Sequence, residues 1–349
     1  MCYVHTLRKM QKGLLVFFFF LTPLLGNEQQ KIIYLVPWEG MSSILPSDEA
    51  NIQDVHLLKP FMRLIQEAQK RNYLLKFTRN ISNTADVKAV VFFGPNVNES
   101  KLYQDLKKYS SDKCILYVWE AVVIDPTGYE SWLKNYFGKI FTHKDDLVDN
   151  KQYFKFHWPS FCTIGEEYKI PFNQKKFCSI FAANKCSSHP LEIYSERIKT
   201  IKFFENLSTN ELDFYGKGWN ASEYTSYKGD AVDKLKTCGN YKFNICYENG
   251  QKIPGYMTEK IFDCFACCCV PIYWGASNIT EFVPADCFID RRDFDSHDAL
   301  YSFLKNIDET AYNQYLENIK KFVASPQAYK FSGDYFAWQF FETIESLKE

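Results

Sequence analysis

The sequence predicts an α/β protein of two Rossmann-like domains that face each other across a cleft. Three observations lead there. Short, uninterrupted apolar runs alternate with amphipathic stretches along both halves of the chain, as strands of a parallel sheet covered on both faces must. The length of 349 residues suits two domains, each with its own core. With 46% hydrophobic and 24% charged residues, the composition is that of a globular chain.

The elements follow in order. Lys31-Ile32-Ile33-Tyr34-Leu35-Val36 is a buried strand ended by Pro37, and Leu57, Leu58, Phe61, Leu64, Ile65 and Ala68 recur at helical spacing. Tyr73 to Thr78 is strand-like. Ala89 to Phe93 is a further strand, closed by Gly94-Pro95. Lys101 to Tyr109 reads as a helix, and Cys114 to Trp119 as a strand running into Glu120. A polar stretch from Lys144 to Lys155 leads to Trp158-Pro159, a domain boundary, so residues 31–160 form a first domain and 161–349 a second. In the second, Phe177–Ala182, Leu212–Tyr215, Tyr241–Tyr247, Val270–Trp274 and Cys287–Ile289 read as strands. Pro190–Glu205 and Thr258–Cys269 read as helices, with closing helices over Asp298–Val323.

Residues 1–30 differ. Arg8, Lys9 and Lys12 precede an apolar run, Leu14 to Leu25, with Gly26 behind it. The run is shorter than the roughly 20 residues of a comfortable membrane span, and it resembles a signal peptide or short signal anchor. Membrane association through residues 13–26 would place the body of the protein away from the cytosol by the positive-inside rule. Asn-x-Ser/Thr tripeptides at Asn80, Asn98, Asn206, Asn220 and Asn278 matter only in a glycosylating compartment.

Several function classes recede. A net charge of −1 leaves no basic excess for nucleic acid. Pro37-Trp38-Glu39-Gly40 follows the first strand where a dinucleotide-binding dehydrogenase would carry its glycine motif. Cys264, Cys267, Cys268 and Cys269 crowd one segment, but no Cys or His pair follows at zinc-finger spacing. They read as buried free thiols, with no metal site expected.

The segment richest in chemistry is Tyr247 to Gly275. Tyr247-Glu248-Asn249 ends a strand, a polar turn carries Pro254, and Thr258 caps a helix whose free N–H groups and dipole attract phosphate. Lys260 adds a positive charge there, and Glu259 can accept from sugar or ribose hydroxyls.

Residues 243–275, "FNICYENGQKIPGYMTEKIFDCFACCCVPIYWG", resemble the signature of the α-1,3-fucosyltransferase family, glycosyltransferase family 10. "FVPADCFIDRRDF", residues 282–294, and "KKFCSIFAANK", residues 175–185, are similar to the family's flanking segments, whereas nothing before residue 110 matches. The resemblance implies a GT-B fold, with an acceptor-binding first domain and a GDP-fucose-binding second domain. It implies inverting transfer of L-fucose from GDP-fucose to a GlcNAc-type hydroxyl of an acceptor glycan, in α-1,3 linkage. Asn249, Tyr256, Glu259 and Lys260 would bind the donor, and Arg197 its diphosphate. Ala183-Asn184 stands where the family has a Ser-Asn loop, which removes a hydroxyl. Glu120 would be the catalytic base, with Asp125 a rival because Pro126 follows it. No obligatory cofactor is implied, although divalent cations could stimulate. A membrane-associated or exported protein follows, at the Golgi membrane of a eukaryote or the cytosolic face of a bacterial inner membrane. A GT-B transferase for another nucleotide sugar and a non-catalytic carbohydrate-binding protein on the same scaffold are the alternatives.

Overall fold

The computed structural model describes residues 30–38, 55–82, 85–95, 100–160, 163–207 and 209–348. The expected N-terminal signal or anchor lies outside them. Among the described residues no helix is long and apolar enough to cross a membrane.

Lys31–Glu349 is one compact unit built on two sheets. The first holds β1 (Lys31–Val36), β2 (Tyr73–Phe77), β3 (Val87–Phe93), β4 (Cys114–Tyr117), β5 (Lys139–Thr142) and β6 (Tyr153–Lys155), in the order β2-β1-β3-β4-β5-β6. The second holds β7 (Lys176–Phe181), β8 (Leu212–Tyr215), β9 (Tyr241–Tyr247), β10 (Val270–Trp274) and β11 (Ile289–Asp290), in the order β11-β10-β9-β7-β8. Every pairing is parallel, as the continuous apolar runs require. Strand β3 is buried along its whole length, and Phe93 stands opposite Tyr117 of β4.

Strand β6 falls in the stretch that reads as polar, and β5 lies just before it. They are short and lie at one side of the sheet, so Lys139 and Lys155 can close them without a long apolar run. The helix that Thr258 begins is shorter than its apolar pattern. Thr258 caps Glu259–Ala266, and Cys268 takes a left-handed φ of 54° just beyond it. The helix expected from Pro190 begins at Tyr194, because Glu192 is bridged to Gly250. The closing segment is two helices, His297–Lys305 and Glu309–Val323, each started by an acceptor side chain, Ser296 and Asp308.

One boundary is corrected. The last helix, Gly333–Glu345, falls in the range expected to form the second domain, yet it packs on the first sheet. Phe336, Phe340, Phe341 and Ile344 share a cluster with Ile33, Val91 and Tyr117. Phe336 meets Tyr117 edge-on at 5.6 Å between ring centroids. An open parallel sheet needs cover on both faces, and this helix supplies it for strands far away in sequence.

Candidate functional site at the facing strand ends

Ligands of open parallel sheets bind beyond the C-terminal ends of the strands. Here the segment after β4 and the segment after β9 pack against each other. Ala121 and Val123 from the first form a buried cluster with Ile253 and Tyr256 from the second. Ser187 Oγ donates to Val123 O at 3.0 Å. A side chain on Gly250 would come within 2.9 Å of Val123 Cγ1, so the donor-side turn needs a glycine at its closest approach.

Glu120 sits on the first-sheet side of this junction. Tyr129 Oη donates to its backbone carbonyl at 2.9 Å and lies 2.9 Å from His143 Nε2. Burial pushes the Glu120 carboxyl above the ordinary carboxylate range; Glu259 and Asp125 add to the rise, while Lys260 and Lys185 oppose it. The carboxyl is thus within electrostatic reach of two residues of the facing helix. Asp125 is engaged differently. It caps the Pro126–Tyr129 turn, accepting from Thr127 N at 3.1 Å and from the Thr127 hydroxyl.

On the other side, Arg197, Asn249 and Tyr256 form a chain. Arg197 Nη2 donates to Tyr247 O at 2.8 Å, to Glu248 O at 2.5 Å and to Asn249 Oδ1 at 3.0 Å. Asn249 Nδ2 donates to Tyr256 Oη at 3.3 Å. Tyr256 is fully buried, with its ring centroid 4.8 Å from that of His143. Arg197 therefore holds the end of β9 as well as lining the recess beside it.

At the helix start, burial alone would push Glu259 up, but Lys260 and Lys234 hold it below its ordinary value. Burial would lower Lys260, and Glu248 and Glu259 more than reverse that, so the ammonium is firmly charged. A narrow recess beside it is lined by Arg197, Lys234, Lys260 and Asp263, among others. Three cations converge there, with Asp263 paired to Lys234 at 2.7 Å and Glu248 to Lys260 at 3.0 Å. The Ala183-Asn184 loop holds Gly218 by an Asn184 Nδ2 bond to its carbonyl at 3.1 Å.

Sequence reasoning missed five participants. Glu248 is wholly buried and bonds Thr258 and Lys260. Lys234 pairs with Asp263 at 2.7 Å. Tyr129 and His143 back Glu120. Asn278 ties Gly255 to Asp145. Only Glu248 left a signal, as a carboxylate directly after the strand Tyr241–Tyr247.

Among the described residues no group of His, Cys, Asp or Glu is arranged to hold a metal ion. One Asp-x-Asp triplet does occur, Asp293-Phe294-Asp295, but both carboxylates are exposed at the surface past β11. Cys264, Cys267, Cys268 and Cys269 are buried free thiols.

Comparison with known proteins agrees with this geometry. The model of the C-terminal part of glycosyltransferase family 10 (fucosyltransferase) matches residues 172–348. The chain is 27% identical over 179 residues to an alpha-(1,3)-fucosyltransferase of Helicobacter pylori, which covers 49% of this chain and 34% of the relative. It is 26% identical over 188 residues to 4-galactosyl-N-acetylglucosaminide 3-alpha-L-fucosyltransferase 9 of Homo sapiens, covering 52% of this chain and 46% of that one. The match thus spans less than half the length of these relatives. Among solved structures, an alpha1,3-fucosyltransferase with GDP-fucose superposes with a TM-score of 0.56, at 18% identity, over 94% of each chain. T4 phage BGT in complex with UDP and Mn2+ superposes at 0.51, with 11% identity, over 90% of this chain and 99% of that one. These likenesses show a GT-B fold, and the family match covers the second sheet, the Thr258-capped helix and the closing helices. The chain belongs to glycosyltransferase family 10, the fucosyltransferases.

Proposed function

We propose that the protein is an inverting fucosyltransferase that moves L-fucose from GDP-fucose to a GlcNAc-type hydroxyl of an acceptor glycan, forming an α-1,3 linkage. The observation that carries this reading is the position of Glu120, a half-buried carboxyl beyond β4 within electrostatic reach of Lys260 and Glu259. Donor and acceptor would meet at that junction.

A sugar hydroxyl is a poor nucleophile at neutral pH. Glu120 takes its proton as the hydroxyl oxygen bonds to the anomeric carbon, and the bond from that carbon to the diphosphate oxygen breaks. GDP departs with the bonding pair. Arg197, Lys260 and the N–H groups at the start of Glu259–Ala266 stabilise the growing negative charge. Asn249 and Tyr256 shape the same pocket, and Glu259 accepts from ribose or fucose hydroxyls. The rise in the Glu120 pKa brings the base closer to working pH, which favours proton transfer.

Residues 13–26 are the proposed membrane or export signal; in a eukaryote this places the enzyme at the Golgi membrane. The deciding experiment incubates the full chain with GDP-fucose and an array of acceptor glycans and maps the product linkage. An α-1,3-fucosylated product, lost in Glu120→Gln and not in Asp125→Asn, supports the reading. Transfer from a different nucleotide sugar, no transfer, or full activity in Glu120→Gln overturns it. Lys260→Ala should chiefly weaken GDP binding.

A further inference from the structure

Glu248 is the least accessible carboxylate near the candidate site, with none of its surface exposed. A buried carboxylate survives only when its lone pairs are satisfied. Here Oε1 accepts from Thr258 N at 2.8 Å, and Oε2 accepts from Thr258 Oγ1 at 2.8 Å and from Lys260 Nζ at 3.0 Å. Lys260 Nζ also lies 2.9 Å from Thr258 Oγ1, which closes a three-membered network. Its backbone is held from the other side. Glu248 N donates to Trp274 O at 2.8 Å, and Arg197 Nη2 donates to its carbonyl. One residue thus links the two cations proposed to receive the diphosphate.

The neighbouring strand makes room for it. A Cβ on Gly275 would lie 2.5 Å from Glu248 Cγ and would overlap the Tyr273 hydroxyl. Gly275 has no positive φ, so contact rather than backbone conformation demands the glycine. The run Val270 to Gly275 therefore ends in glycine because the Glu248 side chain fills that space.

We propose that Glu248 is a positioning residue of the donor site: its buried carboxylate holds the Lys260 ammonium and the Thr258 cap so that both face one anion. The inference rests on the donor-binding reading above and deepens it. Lys260 alone is a flexible four-carbon stem, and tethering it lowers the entropy lost on binding. The tether also leaves the helix's free N–H groups undisturbed, since Glu248 takes only the Thr258 amide.

The test is a double-mutant cycle on the full chain with GDP as the probe, read by calorimetry alongside thermal unfolding. Glu248→Gln keeps the shape and removes the charge. It should weaken GDP binding about tenfold and raise the KM for the donor while leaving that for the acceptor unchanged. In a Lys260→Gln background the same change should cost almost nothing further, because Glu248 acts through that ammonium. If Glu248→Gln does not fold, Gly275→Ala displaces the same carboxylate and should show the same dependence on Lys260. Wild-type GDP affinity in Glu248→Gln, or losses that add in the double variant, would overturn the proposal while leaving the donor reading intact. Failure of the wild-type chain to bind GDP would overturn the donor reading, and this inference with it.

Discussion

Asn278 and Asp145 are 133 residues apart in sequence, and the Asn278 amide donates to Asp145 Oδ2 at 2.9 Å. Asn278 Oδ1 accepts from Gly255 N at 2.8 Å, and Lys155 Nζ donates to Asp145 Oδ1 at 2.5 Å. The turn that leads into Tyr256 and Lys260 is thereby pinned to the edge of the first sheet. The same Asn278 begins one of the Asn-x-Ser/Thr tripeptides.

Asn278→Asp should lower stability by about 1–2 kcal/mol, the scale of a partly buried charge-assisted hydrogen bond turned into a clash. The new carboxylate would face Asp145 and Glu281, to which Asn278 Nδ2 also donates. Urea denaturation measures it. In a glycosylating host, mass spectrometry should find Asn278 unmodified in folded protein, since its amide nitrogen is already engaged. Glycan at Asn278 in material of wild-type stability would contradict the latch.

Gly255 carries φ +77°, and a Cβ there would overlap His143 O and Lys155 Nζ. Gly255→Ala therefore pays twice, in backbone conformation and in lost contact with the first sheet. GDP affinity should fall about tenfold or more, since about 1–3 kcal/mol of strain is placed next to Tyr256. Unchanged affinity by calorimetry would mean that the turn can seat without the first sheet.

Glu120→Gln should reduce transfer by about 10²–10⁴-fold with GDP affinity kept within a few fold. Because burial raises the Glu120 pKa, the acid limb of kcat/KM should lie above the ordinary carboxylate range. The base must be ionised, so activity falls as pH drops through that limb. Lys260→Ala removes a nearby positive charge that opposes the rise, and should move the limb further up. A pH–rate profile of the two proteins decides it.

The buried His143 and the half-buried His157 set an acid limit on folding. Burial, with Lys155 adding to it, pulls both His143 and His157 down to about 3. Unfolded, each would take a proton near pH 6.5. Between these values the unfolded chain binds more protons, so stability falls as pH drops from about 6.5 toward 3, by up to about 1.4 kcal/mol per pH unit for each histidine. Replacing His157 by Phe, which keeps its contact with Phe331, should flatten the decline. Chemical denaturation at a series of pH values checks this. A slope equal to that of the wild type would remove His157 from the account.

Some of this was legible in the chain itself. Ala89–Phe93 announces itself as an unbroken apolar run, as a strand covered on both faces favours, and Tyr241–Tyr247 through Tyr241, Phe243, Ile245 and Tyr247 at alternate positions. The start of the donor-side helix is legible because Thr258 caps its own next turn and Lys260 lies within it. Such features are set by neighbours along the backbone, and periodicity records them. The edge strand Tyr153–Lys155 and its neighbour Lys139–Thr142 escaped because strands of three and four residues leave no long apolar run. The packing of Gly333–Glu345 on the first sheet escaped because an apolar helix face does not name the sheet it will cover.

The sequence by itself determined two parallel-sheet halves and a phosphate-attracting helix start after Glu248-Asn249, since local pattern and local capping suffice for both. Only the tertiary structure decided that Glu120 comes within electrostatic reach of Lys260, that Glu248 holds that lysine, and that Asn278 fastens the turn to Asp145. Each of those depends on side chains brought together by loop closure and burial. A buried charge finds whichever partner the packed fold presents, and spacing along the chain does not encode that choice.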